Sequence, residues 1–414
     1  MDDVAGATAQ AVARRSYGKL IAFLAARSRD VAAAEDALSE AFAAALAGWP
    51  ADGVPHNPEA WLLTVARRKM IDAARQRRGA EGIAEHLQLM AELAEGERDD
   101  SAIPDNRLAL MFACAHPAID AGVRAPLMLQ ATLGFDAAAI ASAFLVAPAT
   151  MSQRLVRAKT KIREAGIPFR VPGRAEMHDR LDAVLEAIYA TYAEGWSDPA
   201  GSDPQRRNLA DEAIWLGRLV ASLLPGEAEA LGLLSLMLHA QARRHARRDG
   251  QGRYVPLAAQ DPAQWDAPMI DEAEALLREA GRMATLGRYQ LEAAIQSAHV
   301  VRRRTGRADW PAIEQLYDAL GRLTASPVVA INRAIAIAET RGPAAALQLL
   351  DEIGTDARIL LYQPYWAARA ELLERSGDMV ASDQAYARAI GLESDPAVRE
   401  FLQQRRIRLY PTGA

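Results

Sequence analysis

Apolar residues return at three- and four-residue steps along almost the whole of this 414-residue chain, while alternating Val, Ile and Thr runs bounded by turns are scarce. A period near that of the helix puts the apolar side chains on one stripe and leaves no face for a half-buried strand. The expected fold class is all-α. With 50% hydrophobic and 24% charged residues the chain is globular, long enough for two or three cores. No apolar stretch approaches the roughly 20 residues that cross a bilayer. The opening MDDVAGATAQ is acidic where a secretory leader is basic and then apolar. A cytoplasmic protein without membrane contact is expected.

Cys114 is the single cysteine, which excludes an intrachain disulfide framework and a multi-cysteine metal site. Cys114 and His116 lack further partners as metal ligands, so a small buried apolar thiol is the expectation. The sequence holds no Gly-rich phosphate loop, no Ser/His/Asp order and no paired metal ligands. Catalysis, resident metals and cofactors are therefore not expected.

Positive charge is concentrated although the net charge is −5. WLLTVARRKMIDAARQRR, from Trp61 to Arg78, reads as an amphipathic helix carrying Arg67, Arg68, Lys69, Arg75, Arg77 and Arg78 against Asp72. Ahead of it a proline-ordered loop spans Pro50–Pro58, with Asn57 as N-cap, Pro58 at the first helical position and Glu59 at the positive end of the helix dipole. Cations along a backbone beside an aromatic such as Trp61 suit unpaired nucleic acid, which needs a surface for its bases. A solvated basic patch is the plain alternative.

Another basic helix, TMSQRLVRAKTKIRE from Thr150 to Glu164, follows a short helix Asp136–Phe144 in a helix-turn-helix pattern with apolar Ile140, Phe144, Met151, Leu155 and Ile162. In that motif the N-terminal part of the second helix faces the major groove, here Thr150, Ser152, Gln153, Arg154 and Arg157. Lys159, Lys161 and Arg163 remain for phosphates. Gln and Arg pair bidentately with adenine and guanine, so this helix is chemically able to read sequence. A motif that binds only protein is the alternative.

Helices are expected over Val12–Arg27 and Val31–Trp49 before the Pro50–Pro58 loop, closing a first unit at residue 79. Within the second, Asp36 and Glu40 share one face and Leu38 and Phe42 another. A solvated acidic face over a packed stripe accounts for them, and without a pocket they have no reason to act as acid and base. Residues 80–104 are strongly acidic and read as a tether. A second unit, 105–173, holds helices Asn106–Ala115, Ala121–Leu133 and the pair just described. Residues 174–414 form a third domain of helix pairs, in which turn glycines Gly306, Gly342 and Gly377 recur close to the tetratricopeptide period of about 34 residues. A stacked array with a concave face is expected.

In this order the motifs resemble those of the extracytoplasmic-function sigma factors of bacterial RNA polymerase, over about residues 12–170. AEDALSEAF at Ala34–Phe42 is similar to the family's A-E-D-x-x-x-E-x-F segment, NPEAWLLTVARRKMIDAARQRR to its P-x-x-W-L-x-x-I-A-R-N-x-x-I-D stretch, and GFDAAAIASAFLVAPATMSQRLVRAKTKIRE to its region-4 helix-turn-helix. The run LMFACAHPAI and the long tail resemble a subgroup with a C-terminal tetratricopeptide-like extension.

The resemblance implies that residues 1–79 are sigma region 2, 105–173 region 4 and 174–414 the extension. It implies docking on core RNA polymerase through Glu35, Asp36, Glu40 and Phe42. It implies capture of the opened minus-ten strand of promoter DNA by His56, Asn57, Trp61, Arg67, Arg68, Lys69, Arg75, Arg77 and Arg78. The minus-35 duplex falls to Thr150, Ser152, Gln153, Arg154, Arg157, Lys159 and Lys161. The extension is expected to regulate activity, with a small YCII-like, DGPF-motif protein among its partners. Arg68 stands where the family usually has Asn, and Ala147-Pro148 replaces the usual Ser-Glu cap. A helix-turn-helix regulator with a ligand- or partner-sensing tail is the competing reading.

Overall fold

The computed structural model describes residues 2–77, 106–143, 146–196, 209–283, 285–356 and 359–410. Among them the secondary structure is helical, with one isolated β-bridge between Arg248 and Tyr254. The chain divides into two compact units, Met1–Glu194 and Gly195–Ala414.

In the first unit, α1 (Asp2–Ser28), α2 (Val31–Asp52) and α3 (Pro58–Arg77) pack on one another. Every residue from Leu20 to Ala25 of α1 is buried, so this helix is covered on all sides rather than along one stripe. Its second set of neighbours is α4 (Arg107–Cys114) and α5 (Ala121–Leu133). A side chain at Gly18 would put its Cβ 1.5 Å from the Thr132 carbonyl oxygen, so only glycine permits this crossing of α1 and α5. Gly134 ends α5 at φ 71 and lies under the Tyr17 ring.

The second helix runs past its expected end at Trp49, through Pro50 to Asp52. Pro50 sits in the last turn, where only one helix hydrogen bond is lost, and Gly53 at φ 85 closes the end by donating to the Trp49 carbonyl at 3.0 Å. The following loop is correspondingly shorter. Asn57 caps α3 as expected, its Oδ1 accepting from the Ala60 N–H at 3.1 Å. Two further helices, α6 (Ala137–Ala143) and α7 (Pro148–Glu164), pack together, with Ile140, Met151, Leu155, Ala158 and Ile162 buried. Phe144 lies outside the described residues. No side chain caps α7 at Ala147, which leaves its first N–H groups outward-facing. The next helix, α8 (Arg174–Trp196), begins in this unit, and its buried Arg180 donates to the Phe112 carbonyl at 3.3 Å.

The second unit continues with α9 (Leu209–Leu223), α10 (Ala228–Gln241), α11 (Ala267–Gly281), α12 (Arg288–Val300), α13 (Trp310–Thr324), α14 (Pro327–Thr340), α15 (Pro343–Ile353), α16 (Gln363–Ser376), α17 (Met379–Leu392) and α18 (Pro396–Arg408). From α12 onward each helix contacts the next, which gives a consecutive helical array. The periodic glycines all take positive φ, 75 at Gly306, 90 at Gly342 and 87 at Gly377, and so form its turns. Asp309 and Asp378 then cap the helices that follow. One feature departs from a simple stack. The loop after α10 reaches the last helix, with Arg248 paired to Asp395 and the Tyr254 and Phe401 rings edge to face at 5.4 Å.

Candidate nucleic-acid interface

The basic helix α3 leaves the Trp49 end of α2 through the short loop Gly53–Asn57, and the rings of Trp49 and Trp61 meet edge to face at 5.5 Å. Trp49 is buried and Trp61 half-buried, so one ring anchors the other at the mouth of the helix. His56 and Asn57 are exposed beside it. Glu59 turns inward, accepting from Ser16 Oγ at 2.5 Å and Arg15 Nη2 at 3.0 Å. Burial raises its carboxyl pKa, and these two hydrogen bonds outweigh that effect and hold it below the ordinary range.

The cations of α3 do not share one environment. Arg68 and Lys69 are exposed, with Lys69 Nζ 3.0 Å from Glu40 Oε2. Arg67 is half-buried, its guanidinium 5.1 Å from the Phe23 ring, which Arg27 covers at 3.6 Å. Only the backbone of Arg75 and Arg77 is described, and Arg78 lies outside the described residues.

On α7, Thr150, Ser152, Gln153, Arg154, Arg157 and Lys161 are exposed. They form a continuous polar face opposite the buried Met151, Leu155, Ala158 and Ile162. Lys159 is the exception. It turns back onto α2 and pairs with Glu35.

The acidic residues of α2 separate accordingly. Asp36 is exposed, Glu40 faces Lys69, Phe42 is half-buried and Glu35 is enclosed against α7. Glu35 Oε1 is buried and has no hydrogen-bond partner among the described residues. Burial raises the Glu35 pKa, and the Lys159 ammonium offsets this only in part. The phenol of Tyr17 and the thiol of Cys114 are pushed up by burial first and then by the Glu35 carboxylate, which places both groups around the same contact. Beside it Arg163 Nη1 lies 3.6 Å from Asp30 Oδ2. Tyr17, Gly18, Asp30 and Gly134 complete this junction, which the sequence pattern did not signal, because it joins residues far apart in the chain.

Among the described residues no group of three or more His, Cys, Asp or Glu is placed to hold a metal ion, and no helix is long and apolar enough to cross a membrane.

Residues 12–80, spanning α1 to α3, match sigma-70 region 2. That match gives the chain a sigma-factor-like role in transcription initiation, with core RNA polymerase and promoter DNA as partners, through a domain of non-enzymatic transcription factors. Residues 180–281 match a family of unknown function, DUF6596. Across 383 residues the chain is 38% identical to an uncharacterized protein of Rhizobium meliloti (strain 1021), covering 91% of this chain and 90% of the relative. The chain belongs to the family of that protein. No solved structure matches it.

Proposed function

We propose that the protein is an extracytoplasmic-function sigma factor that binds core RNA polymerase and directs initiation at promoters with minus-ten and minus-35 elements. The observation that carries this reading is a pair of unlike basic helices behind one region-2 match. The first, α3, has an aromatic pair and a proline loop at its start, and α7 has its reading residues on a solvent face.

In this reading Asp36, Glu40 and Phe42, together with Glu35 once it is released, dock on the polymerase. Trp61 with His56, Asn57 and the cations Arg67, Arg68, Lys69, Arg75, Arg77 and Arg78 holds the opened strand, because unpaired bases stack on aromatics while phosphates pair with cations. Thr150, Ser152, Gln153, Arg154 and Arg157 read an intact major groove, and Lys159 and Lys161 hold its phosphates. Residues 105–173 then act as region 4 with a helix-turn-helix formed by α6 and α7. The helical array of the second unit acts as a tetratricopeptide-like extension that regulates activity, with a small YCII-like protein among its partners.

Run-off transcription with core polymerase on a library of candidate promoters tests this. The expected result is start-site-specific RNA that requires both core and this chain. Saturable binding to one duplex operator without core, and no RNA, would favour a helix-turn-helix regulator instead.

A truncation ending at Glu194 tests the extension. Ending earlier, at Gly173, would remove Arg180 from the Phe112 carbonyl and damage the first unit. Equal transcription by the truncated and full-length chains, with and without cell extract, would remove the regulatory role.

A further inference from the structure

The minus-35 helix and the polymerase-docking helix of the proposed sigma factor occupy each other. Lys159 is paired with Glu35, with side-chain exposures of 12% and 16%, and Arg163 lies 3.6 Å from Asp30. Under this ionic contact α1 crosses α5 with the Gly18 backbone against Thr132 and Tyr17 over Gly134, a fit too close for any side chain at position 18. Elements roughly 25 base pairs apart on B-form DNA are separated by about 85 Å at 3.4 Å per pair. With α7 seated on α2, which itself packs on α3, the two reading helices are held too close together to reach both. Fully extended, the intervening residues 78–106 reach about 100 Å, so the covalent chain allows the two parts to separate.

We propose that this junction is a clasp in which the region-4 part covers the acidic face of α2 and hides Lys159 from DNA, withholding the free protein from core polymerase until core itself competes for Glu35. The proposal rests on the sigma-factor reading. A surface that docks basic polymerase helices is acidic, and a surface that docks phosphates is basic, so the two are complementary to each other and serve as mutual stand-ins. Core binding must then break the contact, and the apparent affinity falls by the fraction of molecules that are closed.

The full-length chain carries the test. In a Cys114→Ala background, needed because the native thiol is buried beside this contact and would be uncovered on opening, cysteines at the exposed positions Thr64 on α3 and Val156 on α7 take spin labels. The free wild-type protein is expected to give one short, narrow distance that lengthens when core is added. Gly18→Leu wedges the crossing and touches neither binding surface; Gly6→Leu, where an added Cβ meets nothing within 4 Å, is its control on the same helix. The wedge is expected to lengthen the free-state distance and to raise affinity for core about ten-fold over the control. Should Gly18→Leu fold poorly, Lys159→Glu opens the contact by like charge, and Glu35→Lys added to it closes it again, both read by the label distance.

A broad, long distance in the free wild type overturns the clasp. Core binding that is equally tight for opened and closed chains overturns the withholding alone. Failure of every chain to bind core overturns the sigma-factor reading and the withholding with it, while the distances still report whether the contact exists.

Discussion

Lys159 of α7 is ion-paired to Glu35 of α2 across 124 residues of sequence, and both side chains are largely removed from water. Neither charge is compensated by another described partner at that point, so each depends on the other. Removing one leaves the other buried and unpaired, the costly half of breaking such a pair.

Lys159→Ala is therefore expected to destabilise the first unit by about 1–3 kcal/mol. Glu35→Ala combined with it should cost less than the two single changes added together. Denaturant unfolding of the four chains in a double-mutant cycle checks this, and strict additivity would show that the pair is not coupled.

Asp30 and Asp36 separate stability from function on one helix. Asp30 caps α2, its Oδ1 accepting from the Ala33 N–H at 3.0 Å, so Asp30→Ala should lower stability by about 1 kcal/mol. Asp36 is exposed, and Asp36→Ala should change stability by less than about 0.5 kcal/mol. In the proposed function it should still weaken core binding several-fold, as measured by competition with a labelled sigma factor.

Arg157 is exposed on the polar face of α7, where a phosphate or base contact would depend on salt. Arg157→Ala should reduce the slope of log affinity against log salt for duplex DNA by about one in the polymerase-bound state. Arg68→Ala should instead reduce transcription less on a template opened in advance than on a closed one. Filter binding at several salt concentrations and paired run-off assays read the two effects.

In the second unit, His239 and His299 are held at pKa values of about 4, mainly by burial and then by the nearby Arg243, with Arg302 also acting on His299. At neutral pH His239 is thus uncharged, and its approach of 3.5 Å to Glu274 is not an ion pair. In the unfolded chain both rings take up protons near their ordinary value of about 6.5, while the folded chain does not until about pH 4. Stability from these two groups is full above pH 6.5 and falls as pH drops toward 4. The expected loss is at most about 3 kcal/mol for each ring, on the order of 1.4 per pH unit below 6.5. Thermal melts between pH 7 and pH 4 check the direction, and replacing both rings by Gln should flatten the profile.

Much of this was legible because it is local. The Asn57 cap, the stop at Gly134 and the positive-φ turns at Gly306, Gly342 and Gly377 are each set by a residue and its near neighbours. The exposed face of α7 follows from helical spacing against Met151, Leu155 and Ile162. The role of Glu35 was not legible in the same way. Spacing places it on α2, but its burial comes from Lys159, far along the chain and brought in by the α1–α5 crossing. For the same reason the place of Arg67 beside the Phe23 ring, a matter of packing, was not legible, since the sequence shows it only as one of several cations on α3. The closure of the array by Arg248 and Asp395 is likewise a long-range pairing with no local pattern.

The most direct measurement is co-elution of the purified full-length chain with core RNA polymerase, followed by transcription from the recovered complex. A stoichiometric assembly that makes RNA from a defined start site is the expected result. Separate elution of the two, with no RNA from any template, would contradict the account.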